Sequence, residues 1–215
     1  MVSYTALFAL MLLWVASIPL FGDTAVGRAL LALVYLGMMS VALTISLPPR
    51  WPRWWPLLAL AIVLLPRIAL SQEPTWLATA FELGGVLVAI VIPILLTAHV
   101  LGTADVTANT IFGALSAYVF LGFGWTQIYL AIDAFMPGSF SFPTEGPHSA
   151  FEYLYFSFIS LTTVGYGDIT PRAPVARAFA MIEGLIGQIY LAVLVARLVS
   201  LHSSRSSPPP SAPTE

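Results

Sequence analysis

The sequence predicts an all-α membrane protein with six transmembrane helices and one shorter helix that enters the membrane without crossing it. Three observations carry this prediction. The 215 residues are 59% hydrophobic and only 8% charged, a balance that polytopic membrane proteins need and soluble domains do not. Apolar runs of about 20 residues, the length that crosses a hydrocarbon core, recur along the chain. One apolar run, residues 149–162, is too short to cross, and it opens with Ser149 and Glu152 at capping-box spacing.

Residues 1–21 form the first predicted span. Its start lacks the basic region of a signal peptide, so the helix is expected to be retained. Gly22, Asp23 and Thr24 make a turn, and residues 25–47 form the second span. Pro48, Pro49 and Pro52 then break the helix, while Arg50, Arg53, Trp51, Trp54 and Trp55 have the composition of an interfacial belt. The third span, residues 56–70, is short, with Pro66 and Arg67 near its end; Arg67 is expected to snorkel to the interface. After a turn at 71–74, the fourth span covers 75–100 and carries Pro93 as a kink. The fifth, 106–135, is long for one crossing, and its Gly113, Gly122 and Gly124 permit close helix contacts. A loop rich in Pro, Gly, Ser and Phe covers 136–148, an outer turn 171–174, and the sixth span 174–201. The Ser/Pro-rich tail, 202–215, is expected to be disordered.

Composition excludes several function classes. There is no cysteine, hence no disulfide, thiol chemistry or Cys-ligated metal. The net charge of −2, with arginine as the only basic side chain, suggests no nucleic-acid partner. His99, His148 and His202 are expected on opposite membrane faces, which fits surface positions better than a zinc site. No paired catalytic carboxylates or nucleophile–base constellation appears, so no enzyme is expected. Six spans put Arg50, Arg53, Arg197 and Arg205 on one side and Arg28, Arg67, Arg172 and Arg177 on the other. The positive-inside rule therefore gives no orientation.

The short helix leads into Thr162, Thr163, Val164, Gly165, Tyr166, Gly167 and Asp168. This TTVGYGD string resembles the pore signature of tetrameric potassium channels and matches it without a substitution. The resemblance covers residues 149–200 well and the preceding helix loosely. It implies a pore domain at 105–201, made of outer helix, turret, pore helix, filter and inner helix. It also implies a peripheral four-helix bundle at 1–104 and a cytoplasmic tail at 202–215. The physical chemistry agrees. A dehydrated potassium ion needs oxygens in place of its water shell, and four chains can supply stacked carbonyl rings. Successive carbonyls must then point inward, along a path that Gly165 and Gly167 tolerate because positive φ brings no Cβ clash. Val164 and Tyr166 point their side chains backward, and Thr163 adds a hydroxyl at the inner mouth. Potassium is expected at Thr163, Val164, Gly165 and Tyr166, with Gly167 completing the path.

Alignment on the filter implies further roles. Thr162 and Asp168 flank the filter, and the resemblance implies that Tyr155 ties Asp168 from the pore helix; packing at the interface is the alternative. Ile159 stands where some relatives carry a glutamate behind the filter. Gly187 matches a gating-hinge glycine, though close packing on the pore helix would equally require it. Gln188, Leu191 and Val195 match cavity-lining positions on one helical face. Val195 and Val199 could form an apolar constriction that closes by dewetting. Glu183, ionisable inside a span, is a functional suspect: it could brace the filter from behind or pair with Arg177. The fourth span contains no arginine or lysine, so it lacks the gating charges of a voltage sensor.

The resemblance thus implies a homotetrameric, passive, potassium-selective channel in a prokaryotic plasma membrane, with both termini cytoplasmic. Its partners would be its own copies and membrane lipids, with no cytosolic ligand-binding domain and no cofactor beyond the permeant potassium. The alternative is a subunit of an active potassium uptake system. Those resemble four fused pore repeats with degenerate filters, whereas this chain has one repeat and an undegenerate string.

Overall fold

The computed structural model describes residues 3–22, 24–46, 54, 56, 76–103, 107–146 and 148–205. Within these residues six helices follow in order: α1 (Tyr4–Phe21), α2 (Ala25–Ser46), α3 (Trp76–Gly102), α4 (Ala108–Phe135), α5 (Ala150–Leu161) and α6 (Pro174–Arg205). Among the described residues, five stretches are long and apolar enough to cross a membrane: Tyr4–Phe21, Ala25–Ser46, Gly84–Gly102, Ala108–Phe135 and Pro174–Arg197. The chain is a helical, multi-pass membrane protein. The third span expected from sequence, 56–70, lies outside the described residues except for its first position, as do most of the belt before it and the tail from 206.

The central element is α4, which packs against α1, α3, α5 and α6. Inside a bilayer, lipid is as apolar as leucine, so helices associate through close packing rather than hydrophobic transfer. Its glycines make that packing possible. A Cβ at Gly122 would stand 2.8 Å from the Phe158 ring, and one at Gly124 would stand 2.8 Å from the Ala89 carbonyl. At Gly113 it would press on Val100 and Tyr4. The start of α4 is capped by Thr107, whose hydroxyl accepts from Thr110 N–H at 3.2 Å. Tyr4 N–H donates to Asn109 Oδ1 at 2.9 Å and ties α1 to the same end. Trp14 Nε1 donates to Leu31 O at 2.8 Å and joins α1 to α2.

Buried side chains form two clusters. One joins the peripheral helices to α4 through Met11, Met38, Ile92, Leu96, Phe120 and Phe123. The other joins Tyr153, Phe156 and Ile159 of α5 to Trp125 and Tyr129 of α4 and to Phe140. Two features differ from the sequence prediction. The segments expected as plain loop and outer turn pair as a short antiparallel ribbon, β1 (Phe140–Ser141) with β2 (Thr170–Pro171). Ser139 O extends it by accepting from Arg172 N–H at 2.7 Å and Ala173 N–H at 3.2 Å. In addition, α6 continues through Arg205 rather than ending at 201, because the first helix-breaking residue after it is Pro208.

Candidate functional site

The site is built on the carboxyl end of α5. At its amino end Glu152 accepts from the Ser149 N–H and completes a capping box. His148 stacks on Phe142 at 3.6 Å, with Nδ1 3.6 Å from Glu152 Oε1. A helix leaves its last four carbonyls without intrahelical partners, and here each one acquires a partner. Phe158 O accepts from Thr162 N–H at 3.0 Å and the Thr162 hydroxyl at 2.6 Å. Ile159 O accepts from Gly165 N–H and Ser160 O from Thr163 N–H, both at 3.0 Å. Leu161 O accepts from the Tyr118 hydroxyl of α4 at 3.1 Å. The TTVGYGD stretch therefore hangs from the end of α5 by backbone bonds.

Its backbone alternates. Thr163, Gly165 and Gly167 are left-handed, with φ of 61°, 52° and 79°, and Val164 and Tyr166 stand between them. No atom lies within 4 Å of a Cβ built at Gly165 or Gly167, so these positions need glycine for conformation, not for space. Thr163 is the only non-glycine with positive φ among the described residues. Sequence reasoning assigned that conformation to the two glycines alone. The Thr163 hydroxyl donates to Thr162 O at 2.7 Å, and Gln188 Nε2 reaches it at 3.4 Å.

Beyond the filter, Tyr155 donates to Asp168 Oδ2 at 2.8 Å. That hydroxyl is the main cause holding the Asp168 carboxyl below its usual range. A second tyrosine–carboxylate pair was not singled out from sequence. Tyr153 donates to Asp133 Oδ2 at 2.6 Å, and Asp133 Oδ1 accepts from Ser139 N–H at 3.0 Å, anchoring the loop after α4. The available signal was a carboxylate at the end of a predicted span.

Behind α5, Glu183 of α6 is fully buried. Its Oε2 accepts from the Tyr129 hydroxyl of α4, and its Oε1 lies 2.6 Å from Ser157 Oγ of α5. The expected alternative, pairing with Arg177, is not what forms: Arg177 Nε donates to Pro171 O at 3.1 Å. A Cβ at Gly187 would collide with the Leu161 carbonyl, so α6 passes close against the end of α5 there. Gln188, Val195 and Val199 are exposed along α6 and Leu191 is half-buried. Farther along, Arg197 donates to Thr103 O at 2.7 Å and Tyr190 to Ala114 O at 2.6 Å, joining α6 to the rest of the bundle. Among the described residues no group of three His, Cys, Asp or Glu is arranged to hold a metal ion.

A family profile described as "Ion channel" matches residues 124–203, which contain all of these groups from Trp125 onward. "Two pore potassium channel c" of Oryza sativa subsp. japonica is 35% identical over 86 residues, 40% of this chain and 19% of that protein. "Two-pore potassium channel 3" of Arabidopsis thaliana is 36% identical over 53 residues, 25% of this chain and 12% of that one. The chain thus spans less than a fifth of the length of these plant relatives. "Protein LctB" of Bacillus caldotenax is 32% identical over 111 residues, 48% of this chain and 80% of that protein. No solved structure matches significantly.

Proposed function

Because this chain belongs to the potassium channel family, we propose that residues 162–168 are its selectivity filter and that it conducts potassium passively as a homotetramer. The observation that carries this is the alternation of left-handed Thr163, Gly165 and Gly167 with Val164 and Tyr166. Such alternation turns successive carbonyls toward one side, so four copies around an axis line a path with oxygen rings that replace the ion's hydration shell. Potassium is bound at Thr163, Val164, Gly165 and Tyr166, with Gly167 closing the outer end. Thr162, Asp168 and Tyr155 hold the strand to α5. Gln188, Leu191, Val195 and Val199 line the inner vestibule, and the two valines form its apolar constriction.

Assembly is supported by what one copy leaves uncovered: Val164 is 53% exposed and Tyr166 73%. In this reading neighbouring copies cover them. The protein sits in a prokaryotic plasma membrane with its termini in the cytoplasm, and α3 carries no sensor charge. The test is ion flux from liposomes containing only this chain. Potassium efflux down its own gradient, with sodium strongly excluded, is the expected outcome. Flux that needs an energy source, or equal sodium flux, overturns it.

A further inference from the structure

Ser157 stands between two oxygens, Gly122 O at 2.9 Å and Glu183 Oε1 at 2.6 Å. A serine hydroxyl has one proton to give and lone pairs to receive with. A carbonyl oxygen can only accept. An ionised carboxylate can also only accept, which would leave one of these two close contacts without a proton in it. The second carboxyl oxygen, Oε2, faces the Tyr129 hydroxyl. Both partners are neutral hydroxyls, and Glu183 is fully buried in a membrane-crossing helix. A buried carboxylate with no cation against it is costly enough that taking up a proton is the cheaper outcome.

We propose that Glu183 is a neutral carboxylic acid: Oε1 carries the proton and donates it to Ser157, Ser157 donates to Gly122 O, and Tyr129 donates to Oε2. Each proton then has one acceptor. The relay joins α6 through α5 to α4 at one point. Glu183 is thereby a positioning residue for the filter, since the carboxyl end of α5 holds the backbone of Thr163 and Gly165. This last step rests on the channel reading; the protonation state does not. The groups facing the carboxyl are Tyr129 and, at longer range, Tyr118 from α4, and Ser157 from α5. On α6, Arg177 donates to Pro171 O instead. Removing the proton would place a charge among hydroxyls and break the relay, so flux should fall as pH rises through the ionisation of Glu183.

The experiment is infrared spectroscopy on the full chain in liposomes at neutral pH, compared with Glu183→Gln and Ser157→Ala. Glutamine keeps a donor and an acceptor in the same places, so it should fold and conduct. The expected result is a protonated-carboxyl carbonyl band in the native chain that is lost in Glu183→Gln and shifted in Ser157→Ala. No such band in the native chain overturns the assignment, even with potassium flux intact. Flux of the native chain should be lost at alkaline pH, while that of Glu183→Gln should persist. A Glu183→Leu chain that conducts like the native one, with the same pH profile, overturns the positioning role. Absence of flux from every chain would count against the channel reading, while the band would still report on the proton.

Discussion

Gly167 needs glycine although the space beside it is empty. An L side chain in the left-handed region costs about 1–2 kcal/mol per residue, and a four-fold pore would repeat the cost in every copy. Gly167→Ala is expected to abolish selective potassium flux while membrane insertion and helix content stay unchanged; flux in liposomes and circular dichroism check both. Native selectivity in that variant would rule out the filter assignment. Thr163 already tolerates the same region, held by its N–H donating to Ser160 O and its hydroxyl donating to Thr162 O. Such strain persists where the surroundings over-determine it. At the outer mouth, the Tyr155 hydroxyl lowers the Asp168 ionisation. Its bond to the carboxylate is therefore present above the ordinary carboxylate range and lost only as pH falls through the lowered value. Tyr155→Phe should keep potassium selectivity and change single-channel dwell times at neutral pH. Unchanged dwell times would leave Tyr155 with a packing role only.

Helix α4 sets the distances between elements. Gly122 lets the Phe158 ring of α5 lie against the α4 backbone, and Gly124 does the same for the Ala89 carbonyl of α3. Overpacking a tight contact costs about 1–3 kcal/mol. Gly122→Val should lower the melting temperature in detergent, more than the same change at Gly37, where nothing lies within 4 Å. Equal effects at the two sites would show that the contact is not tight. Gly187 illustrates how the two levels of information differ. Its place in α6 fits either bending or packing. The approach of the Leu161 carbonyl supplies a packing reason, and α6 runs as one helix from Pro174 to Arg205 through it.

The whole molecule, taken as one copy, leaves an apolar face of α6 uncovered at Met181, Leu185 and Ile189. Lipid or other copies must cover that face, since exposed patches of this kind mark interaction surfaces. Mass measurement of the conducting form should give four copies; a conducting monomer or dimer contradicts the assembly. Voltage dependence is a property of the same scale. Moving one charge through the membrane field is worth about 2.3 kcal/mol per 100 mV, and steep gating needs several such charges per copy. Helix α3 contains no arginine or lysine. Conductance in symmetric potassium should vary weakly with voltage. A steep sigmoid whose midpoint ignores potassium concentration would reveal a sensor elsewhere.

What the sequence by itself determined is local. Apolar runs located five spans to within a few residues, because span length is set by bilayer thickness. The capping box located the start of α5, and TTVGYGD located the stretch now proposed as the filter, because its conformational demand falls on adjacent residues. Tertiary structure decided the contacts between residues far apart in the chain. Ser157 and Glu183 are 26 positions apart, Tyr129 and Glu183 54, and Tyr118 and Leu161 43. Nothing in the periodicity of one helix specifies which hydroxyl on another will face its carboxyl. That depends on how closely the glycines of α4 let the helices approach. The ribbon beside the filter was hidden for the same reason, since residues 140–141 pair with 170–171 only in the assembled fold. The left-handed Thr163 is held by near neighbours, Ser160 O and Thr162 O, but residue type does not mark it, because only glycine announces positive φ.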